Sequence, residues 1–399
     1  MQLSLPIVLV LGLLSGLTPL AIDAYLPSIP TIAKSLETDI SYIQMTLSMY
    51  LIVFALLQIL FGPISDAIGR RKVVVGGLTV FALGSFVCAL APNFEILMVG
   101  RAIQALGGAA VAVCVPALVK DGMSINQFAK TMSMIMLVMA IAPLIAPILG
   151  GAILTLLSWH YIFVFLGILA GIAIILFLRT IPETLPVEKR VPLSLLTSIK
   201  TYGLLLKNKL VVGYLVASAF YFAGMMSFIT GSSFVYIELY GVNPAYFGFI
   251  VGLNVIAMML ASTINGRYVE KLGTQTLTRF AIFVPLLSSV LMITLSFFHQ
   301  PPLALIVIAS ILFMGPMGIL GSGFMAGAMR NADGNNGSVT ALAGTSRFGL
   351  GAVAGVVVSV LHNGTFIPML GTMATCGIIA FTCLKITEHY AVQHTEHKS

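Results

Sequence analysis

The sequence predicts an all-α, polytopic membrane protein whose twelve transmembrane helices form two six-helix pseudo-repeats. Of its 399 residues, 59% are hydrophobic and only 8% are charged, whereas soluble proteins carry roughly 25% charged residues. About a dozen apolar segments follow one another, each near the ~20 residues that cross a bilayer as a helix. A charged motif beginning at Gly62 returns at Gly266, about half a chain later, which predicts a repeated half-molecule.

The apolar segments set the predicted helices and domains. The predicted helices cover 4–28, 41–65, 73–91, 94–119, 130–156, 160–180, 210–236, 244–268, 275–298, 302–329, 337–361 and 365–386. The domains are an N-terminal half (1–180), a central loop (181–209), a C-terminal half (210–386) and a tail (387–399). The first apolar run has no basic leader and no small-residue cleavage site, so we expect it to be retained as helix 1.

The distribution of basic residues predicts the topology. The net charge is +7, and 17 of the 20 Lys and Arg fall in alternate loops and the tail; the exceptions are Lys34, Arg101 and Arg347. This bias places both termini and the central loop in the cytoplasm. The basicity is therefore topological and does not indicate a nucleic-acid partner.

No metal site is predicted. The four cysteines lie inside apolar runs without metal-ligand spacing and are read as small buried hydrophobes. His389, His394 and His397 in the tail are read as a polar chain end rather than as ligands.

The repeated motif lies between helices 2 and 3. It contains Gly62, Asp66, Gly69, Arg70 and Arg71, and its echo runs from Gly266 through Glu270 to Gly273. Glycines permit a tight turn and a close helix approach, and Asp66 is expected to cap a helix or pair with arginines. A solvated loop would explain the arginines but neither the glycines nor the repeat, so a cytoplasmic gate is favoured. These five residues resemble the signature of the major facilitator superfamily, which the chain resembles over essentially its whole length.

Two charged residues lie inside apolar spans of the first half. Asp23 lies roughly 8 Å and Arg101 roughly 10 Å from the same membrane face, counted along their helices. A buried guanidinium needs a partner, and Asp23 is the predicted one. The alternatives are that Asp23 caps helix 1 and that Arg101 only packs helices. The stretch from Arg101 to Gln104 resembles the superfamily's helix 4 motif, with Ala105 in place of glycine, and this resemblance implies that Arg101 takes part in proton transfer.

Helix 5 carries a small-residue motif. Ala142, Ala146, Pro147, Gly150 and Gly151 resemble the antiporter motif of exporters in the superfamily, with alanine at its first two glycine positions. Small residues let helices approach and proline removes a backbone hydrogen bond. The resemblance favours export over uptake.

Repeated halves of this kind place the substrate site between them, near the midplane. Arg347 lies about ten residues into helix 11. Two roles are equally open for it: contact with the substrate, and a hydrogen-bond network that locks the two halves together. The candidates for lining the cavity are Tyr25, Gln44, Tyr50, Gln104, Tyr221, Phe228, Asn254, Arg347 and Phe348.

Short motifs indicate a branch of the superfamily. The end of helix 1 from Asp23, the stretches 44–48 and 158–163, and the Arg347 segment resemble the bicyclomycin and chloramphenicol resistance branch of drug:proton antiporters. That resemblance implies an exporter of small neutral or amphipathic antibiotics in the bacterial inner membrane.

The expected energy source is a proton gradient, because no Gly-x-x-x-x-Gly-Lys-Ser/Thr phosphate loop occurs. Asp23 is expected to accept a periplasmic proton, lose its hold on Arg101 and release the proton inside. We expect a monomeric secondary transporter that is not an enzyme, needs no cofactor or metal, and has protons, a small-molecule drug and the lipid bilayer as partners. The alternatives are a proton-coupled nutrient or metabolite symporter and, in another class, a membrane sensor or enzyme.

Overall fold

Long helices make up most of the chain. A computed structural model describes residues 5–122, 125–190, 202–332 and 336–396, and it contains no strand in these ranges. Part of the predicted central loop, 191–201, and the last three residues of the predicted tail lie outside the described residues.

Twelve helices, named here α1 to α12, follow the predicted order. Their bounds are α1 Leu5–Asp23, α2 Ile40–Ile68, α3 Arg70–Ala89, α4 Phe94–Gly122, α5 Ile125–Leu156, α6 His160–Thr180, α7 Lys209–Ser233, α8 Pro244–Leu272, α9 Thr274–Leu295, α10 Leu303–Arg330, α11 Asn336–Val360 and α12 Ile367–Glu396. A 3-10 turn and a short helix, Ile29–Ser35, follow α1, and a π-helical turn, Phe234–Leu239, extends α7.

These helices cross a membrane. Within the described ranges, eleven helical segments are long and apolar enough to span a bilayer, and α5 contributes a shorter apolar stretch, Ile141–Leu156. The protein is therefore a multi-pass membrane protein, and the predicted all-α fold class is confirmed. The predicted end of helix 12 at 386 is wrong: α12 continues to Glu396, because residues 387–396 contain no proline or glycine to end it.

The chain divides into two compact units. The first comprises Met1–Leu195 with Val242–Phe249, and the second comprises Leu196–Gly241 with Ile250–Ser399.

In the first unit, glycines let α3 and α4 approach closely. A Cβ on Gly84 would lie 2.8 Å from the Cα of Gln104, and one on Gly107 would lie 2.7 Å from the Cα of Phe81. Such contacts are typical of packed membrane helices, where small residues allow the backbones to approach. This packing places Arg101 and Gln104 of α4 in the interior.

The same backbone turn separates the second and third helices of both halves. Gly69 ends α2 with φ +103° and ψ 146°, and Gly273 ends α8 with φ +77° and ψ 148°. Backbone of this kind is almost confined to glycine. The sequence repeat is thus also a repeat of conformation.

Gly62 does not form a turn. It lies inside α2, which continues to Ile68, and an added Cβ would meet nothing within 4 Å. The predicted role of Gly62 in a tight turn or close approach is therefore wrong, because Gly69 alone makes the turn.

In the second unit, α11 and α12 both pack along α7. α10 also contacts α7 and is interrupted at Gly315 and Pro316. The Tyr221 hydroxyl of α7 donates to the carbonyl of Phe313 at 2.7 Å, in the last turn before the interruption, where carbonyls lack helical N–H partners. This contact fixes the broken helix to α7.

Candidate functional site

A fully buried arginine holds the end of α1. The Nη1 of Arg101 donates to the carbonyl of Ala21 at 3.0 Å and to Oε1 of Gln104 at 2.6 Å. Because α1 ends at Asp23, Ala21 belongs to the last turn, whose carbonyls lack helical N–H partners. The guanidinium therefore caps a helix C-terminus, where the helix dipole favours a positive charge.

Aromatic rings surround this guanidinium. Its Cζ lies 4.8 Å from the ring centroid of Tyr25, 4.6 Å from that of Tyr50 and 5.9 Å from that of Phe163. Ring faces at such distances attract a cation. The Nε and Nη2 atoms of Arg101 make no hydrogen bond, so the rings and the end of α1 compensate most of its burial.

Gln104 extends this cluster into α3. Its Nε2 donates to Oγ of Ser85 at 2.8 Å, and the Ser85 hydroxyl donates to the carbonyl of Phe81 at 2.8 Å. Gln104 is fully buried as a hydrogen-bonded partner of Arg101, and its predicted place in the substrate cavity stays a prediction.

Asp23 is buried and unpaired. Its exposed fraction is 8%, and within the described part of the chain its carboxyl makes no hydrogen bond and no ion pair. The predicted Asp23–Arg101 ion pair is therefore absent. The guanidinium binds the carbonyl two residues before Asp23 instead, and a backbone partner of this kind leaves no signal in the sequence.

Tyr25 is held next to Asp23. Its hydroxyl lies 2.8 Å from Oγ1 of Thr46, which itself donates to the carbonyl of Ile43 at 2.7 Å. The Tyr25 ring also packs against Phe163, with the centroids 5.6 Å apart. These contacts fix the face that Tyr25 presents to Arg101.

The helix 5 motif packs directly beside Asp23. Ala146 is fully buried against Ala24 and Ile162, and a Cβ on Gly150 would lie 2.8 Å from the carbonyl carbon of Ala24. A larger residue at Gly150 would therefore push α5 away from the end of α1.

The other motif residues lie nearby on α5. Ala142 is buried, Pro143 and Pro147 lie inside the helix, and Gly151 packs against Pro244 of the same unit. The motif thus combines a close helix contact with two missing backbone hydrogen bonds.

The repeated charged motif forms an ion-pair network. Arg70 pairs with Asp66 four residues before it, donates from Nε to Oδ2 of Asp121 at 3.0 Å, and donates to the Ser65 hydroxyl. The predicted pairing of Asp66 with an arginine is present in the structure. Asp121 was not predicted, although it lies where α4 ends on the same membrane side.

A carboxylate from the end of α6 caps α3. Oε1 of Glu183 accepts from the backbone N–H of Arg70 at 3.1 Å, and Oε2 accepts from that of Arg71 at 3.3 Å. Arg190 lies 3.8 Å from the same carboxylate, and Arg71 donates to the carbonyl of Leu178 at 2.8 Å. Glu183 and Arg190 were not predicted as members of this network, which joins α2, α3, α4 and α6.

The second copy of the motif is more open. A Cβ on Gly273 would meet nothing within 4 Å, and within the described ranges Glu270 is exposed and makes no ion pair. Near the end of α12, Glu388 pairs with Arg279 of α9 at 3.2 Å. In both halves, an acidic residue near the end of the sixth helix contacts the third helix. Only in the first half do side chains also enclose the glycine of the turn, Gly69.

Arg347 ties α11 to two helices of its own unit. Its Nε donates to the Ser218 hydroxyl of α7 at 2.6 Å, and Nη2 donates to the carbonyl of Gly321 at 3.5 Å. The next residue, Phe348, packs against Phe222 with ring centroids 5.1 Å apart. These contacts stabilise α11 on α7; substrate contact by Arg347 and a locking role between the halves remain hypotheses.

The remaining cavity candidates lie in both units. In the first, Gln44 and Tyr50 of α2 are buried, and Oε1 of Gln44 makes no hydrogen bond. In the second, Phe228 packs against Tyr236, and Asn254 accepts from Ser310 at 3.1 Å while its Nδ2 has no partner. Gln44 and Asn254 therefore each keep one buried polar atom without a hydrogen-bond partner.

Comparisons with known proteins identify the family. The sequence profile of the Major Facilitator Superfamily matches residues 11–356. The chain belongs to the Major Facilitator Superfamily. It is therefore a transporter, and the superfamily predicted from the charged motif is confirmed.

Relatives cover almost the whole chain. It is 36% identical to the bicyclomycin resistance protein homolog of Haemophilus influenzae, over 94% of both chains. It is also 36% identical to the uncharacterized MFS-type transporter YdgK of Bacillus subtilis, over 94% of both. The chloramphenicol resistance protein of Pseudomonas aeruginosa is 29% identical over 94% of this chain and 90% of its own. These relatives support the predicted branch of the superfamily.

Solved structures show the same fold. The peptide transporter POT bound to alafosfalin superposes with a TM-score of 0.76 at 15% identity, covering 97% of this chain and 94% of its own. A D-xylose-proton symporter gives 0.75 at 14% identity, over 94% of this chain and 96% of its own. At such low identity the likeness concerns the fold alone.

Proposed function

We propose that this transporter exports small neutral or amphipathic antibiotics, of the bicyclomycin or phenicol kind, in exchange for protons by alternating access. It acts as a monomer in the bacterial inner membrane, with both termini in the cytoplasm and without a bound cofactor. The names of its relatives, bicyclomycin resistance protein homolog and chloramphenicol resistance protein, support the direction and the class of substrate.

The observation that carries the proton coupling is the unpaired carboxyl of Asp23. It is buried at the end of α1, two residues beyond the carbonyl that Arg101 binds and beside the close contact between α5 and α1. A buried acid within a membrane helix is by default functional. Because the carboxyl of Asp23 is not part of an ion pair, it can gain or lose a proton without an ion pair being broken.

The absence of the ion pair refines the mechanism expected from the sequence. With Asp23 neutral, the guanidinium of Arg101 stays on Ala21, Gln104 and the rings, as in the structure. When a carboxyl oxygen of Asp23 loses its proton to the cytoplasm, the new negative charge competes with Ala21 for the guanidinium. Movement of Arg101 then releases the end of α1, and a periplasmic proton restores the first state.

The proton gradient supplies enough energy for this exchange. One proton crossing ~150 mV is worth roughly 3.4 kcal/mol, which supports an outward gradient of a neutral drug on the order of a few hundredfold. A single acid therefore suffices.

Drug susceptibility in a pump-deficient host tests the proposal. The wild type should raise resistance to bicyclomycin or phenicols, and Asp23→Asn should abolish this gain. Asp39→Asn is the matched control, because Asp39 is exposed and caps α2 and asparagine caps equally well. In inverted vesicles, drug-induced proton release that persists in Asp23→Asn would refute the role of Asp23.

The rival function is proton-coupled uptake. Radiolabelled chloramphenicol in right-side-out vesicles separates the two directions. An inward proton gradient should drive chloramphenicol out of the vesicles, whereas accelerated accumulation would establish a symporter.

A further inference from the structure

A cleft in the second unit separates two consecutive helices. Although α11 and α12 follow one another, they diverge above α7 and leave a cavity of about 540 Å³. Phe220 and Ala223 of α7 form its floor, Leu350 and Val357 of α11 line one wall, and Gly371 and Thr375 of α12 line the other. Nothing in the transport mechanism above uses this cleft.

The cleft offers no free hydroxyl donor within the membrane. Its walls belong to the spans Gly337–Val360 and Ile367–Ala391. The hydroxyl of Thr372 donates to the carbonyl of Pro368 at 2.7 Å, and that of Thr375 donates to the carbonyl of Gly371 at 2.8 Å. An occupant whose hydrogen-bond acceptors enter the walls would lose their hydrogen bonds to water without a free hydroxyl donor to replace them, so the walls favour hydrocarbon.

One end of the cleft is polar. Asn363 lies at this end, in the loop 361–366 that follows α11, and its Oδ1 accepts from the backbone N–H and the hydroxyl of Thr365. His362 stands beside it in the same loop. An apolar length that ends at a polar loop matches an amphiphile whose chain lies in the membrane and whose head lies at its surface.

We propose that the cleft binds one acyl chain of a membrane phospholipid, with the headgroup at the loop 361–366. Its volume falls in the range of about 300–1,000 Å³ typical of small-molecule sites. Such sites usually contain a few polar groups that orient a drug, and the embedded walls of this cleft have no free donor of that kind. This argues for a hydrocarbon chain rather than an antibiotic as the occupant.

A filled cleft provides the test. Gly371 lines the cleft and an added Cβ there meets nothing within 4 Å, so Gly371→Leu introduces a side chain into the cleft from an unobstructed position. The full chain is purified in detergent, incubated with palmitoyl-oleoyl phosphatidylethanolamine and examined by native mass spectrometry. The wild type should retain one phospholipid, and Gly371→Leu should retain about tenfold less, because the leucine removes the equivalent of two or more methylene contacts.

Gly171→Leu is the matched control. Gly171 lies in the membrane-spanning α6, and its added Cβ also meets nothing within 4 Å, so this variant should retain phospholipid like the wild type. Thr375→Leu fills the cleft from a second position and should lose the lipid as Gly371→Leu does.

Three results would overturn the proposal. Equal retention by the wild type and both filled variants would place the lipid elsewhere. An equal loss in Gly171→Leu would show that any added side chain disturbs retention. Displacement of the phospholipid by chloramphenicol or by oleic acid at equal concentration would assign the cleft to another occupant.

Discussion

At the scale of single residues, the central feature is a buried guanidinium without a carboxylate. Burying an unpaired charge costs several kcal/mol, and Arg101 is compensated by the carbonyl of Ala21, the amide of Gln104 and three aromatic rings. Both hydrogen bonds come from Nη1, while the planar guanidinium as a whole lies near the three rings, an arrangement that the compact ammonium of lysine cannot reproduce. The requirement is therefore for arginine and not for positive charge alone.

Arg101→Lys tests this requirement. Lysine keeps the charge but removes the planar cation that lies near the rings, so we expect a loss of stability of about 2 kcal/mol, typical of a desolvated cation–π contact. The melting temperature in detergent measures it. Arg179→Lys is the control, since Arg179 is exposed in the last turn of α6, and its melting temperature should not change. Equal effects of the two variants would contradict the described role of Arg101.

Gly150→Ala tests the contact between α5 and α1. The methyl group would collide with the backbone of Ala24, and overpacking of this kind costs about 1–3 kcal/mol. The melting temperature should fall, and transport should fall with it because Asp23 is adjacent. Gly171→Ala faces open space and should gain about 0.5–1 kcal/mol from helix propensity. A stabilised Gly150→Ala would show that α5 can move away freely.

At the scale of elements, the two helix junctions share a backbone but not an environment. Gly69 and Gly273 adopt the same glycine-only conformation. Only Gly69 is enclosed, with Glu183 and Arg190 next to the position of a Cβ. The junction in the first half is therefore the more constrained of the two.

Gly69→Ala and Gly273→Ala make this difference measurable. Each substitution forces an L-residue into left-handed backbone, at a cost of about 1–3 kcal/mol. In Gly69→Ala the methyl group would also lie 2.5 Å from Oε2 of Glu183 and 2.8 Å from Nη2 of Arg190. Thermal melting in detergent should therefore show the larger loss for Gly69→Ala, and the reverse order would contradict the enclosure.

Glu183→Gln tests the capping of α3. The amide keeps the shape but removes the negative charge from a helix N-terminus, which is worth about 0.3–1 kcal/mol. It also replaces one of the two accepting oxygens with an NH₂ group that cannot accept. The melting temperature should fall at low salt, and the difference from wild type should shrink at high salt. Glu188→Gln removes an exposed charge from the same loop and should have no effect. A salt-independent loss would mean that Glu183 acts through its hydrogen bonds to the backbone of Arg70 and Arg71 rather than through its charge.

At the scale of the whole molecule, the helices and their order could be predicted from the sequence more accurately than the side-chain contacts between them. Apolar length identifies each helix, and the glycine spacing identifies both junctions. The partner of Arg101 could not be predicted, because the carbonyl of Ala21 is free to accept only if α1 ends at Asp23, and the sequence does not show where α1 ends. The contacts of Glu183 and Asp121 with Arg70 could not be predicted either. More than 50 residues separate each of them from Arg70, and one sequence does not show which helix ends meet.

The topology inferred from basic residues is tested by fusions. Alkaline phosphatase is active only outside the cytoplasm, so a fusion after Gly364 in the loop following α11 should be active and one after Arg190 should be inactive. A green fluorescent protein at the C-terminus should fluoresce. The opposite activities would reverse the predicted orientation of both termini.

The enclosed turn at Gly69 also limits how this chain can evolve. Every single-base change in a glycine codon that alters the residue adds a Cβ, and at Gly69 that atom meets strained backbone, a carboxylate and a guanidinium together. At Gly273 it meets strained backbone alone. A substitution at the first junction therefore also has to displace the ends of the Glu183 and Arg190 side chains, whereas at the second junction only the backbone strain has to be tolerated.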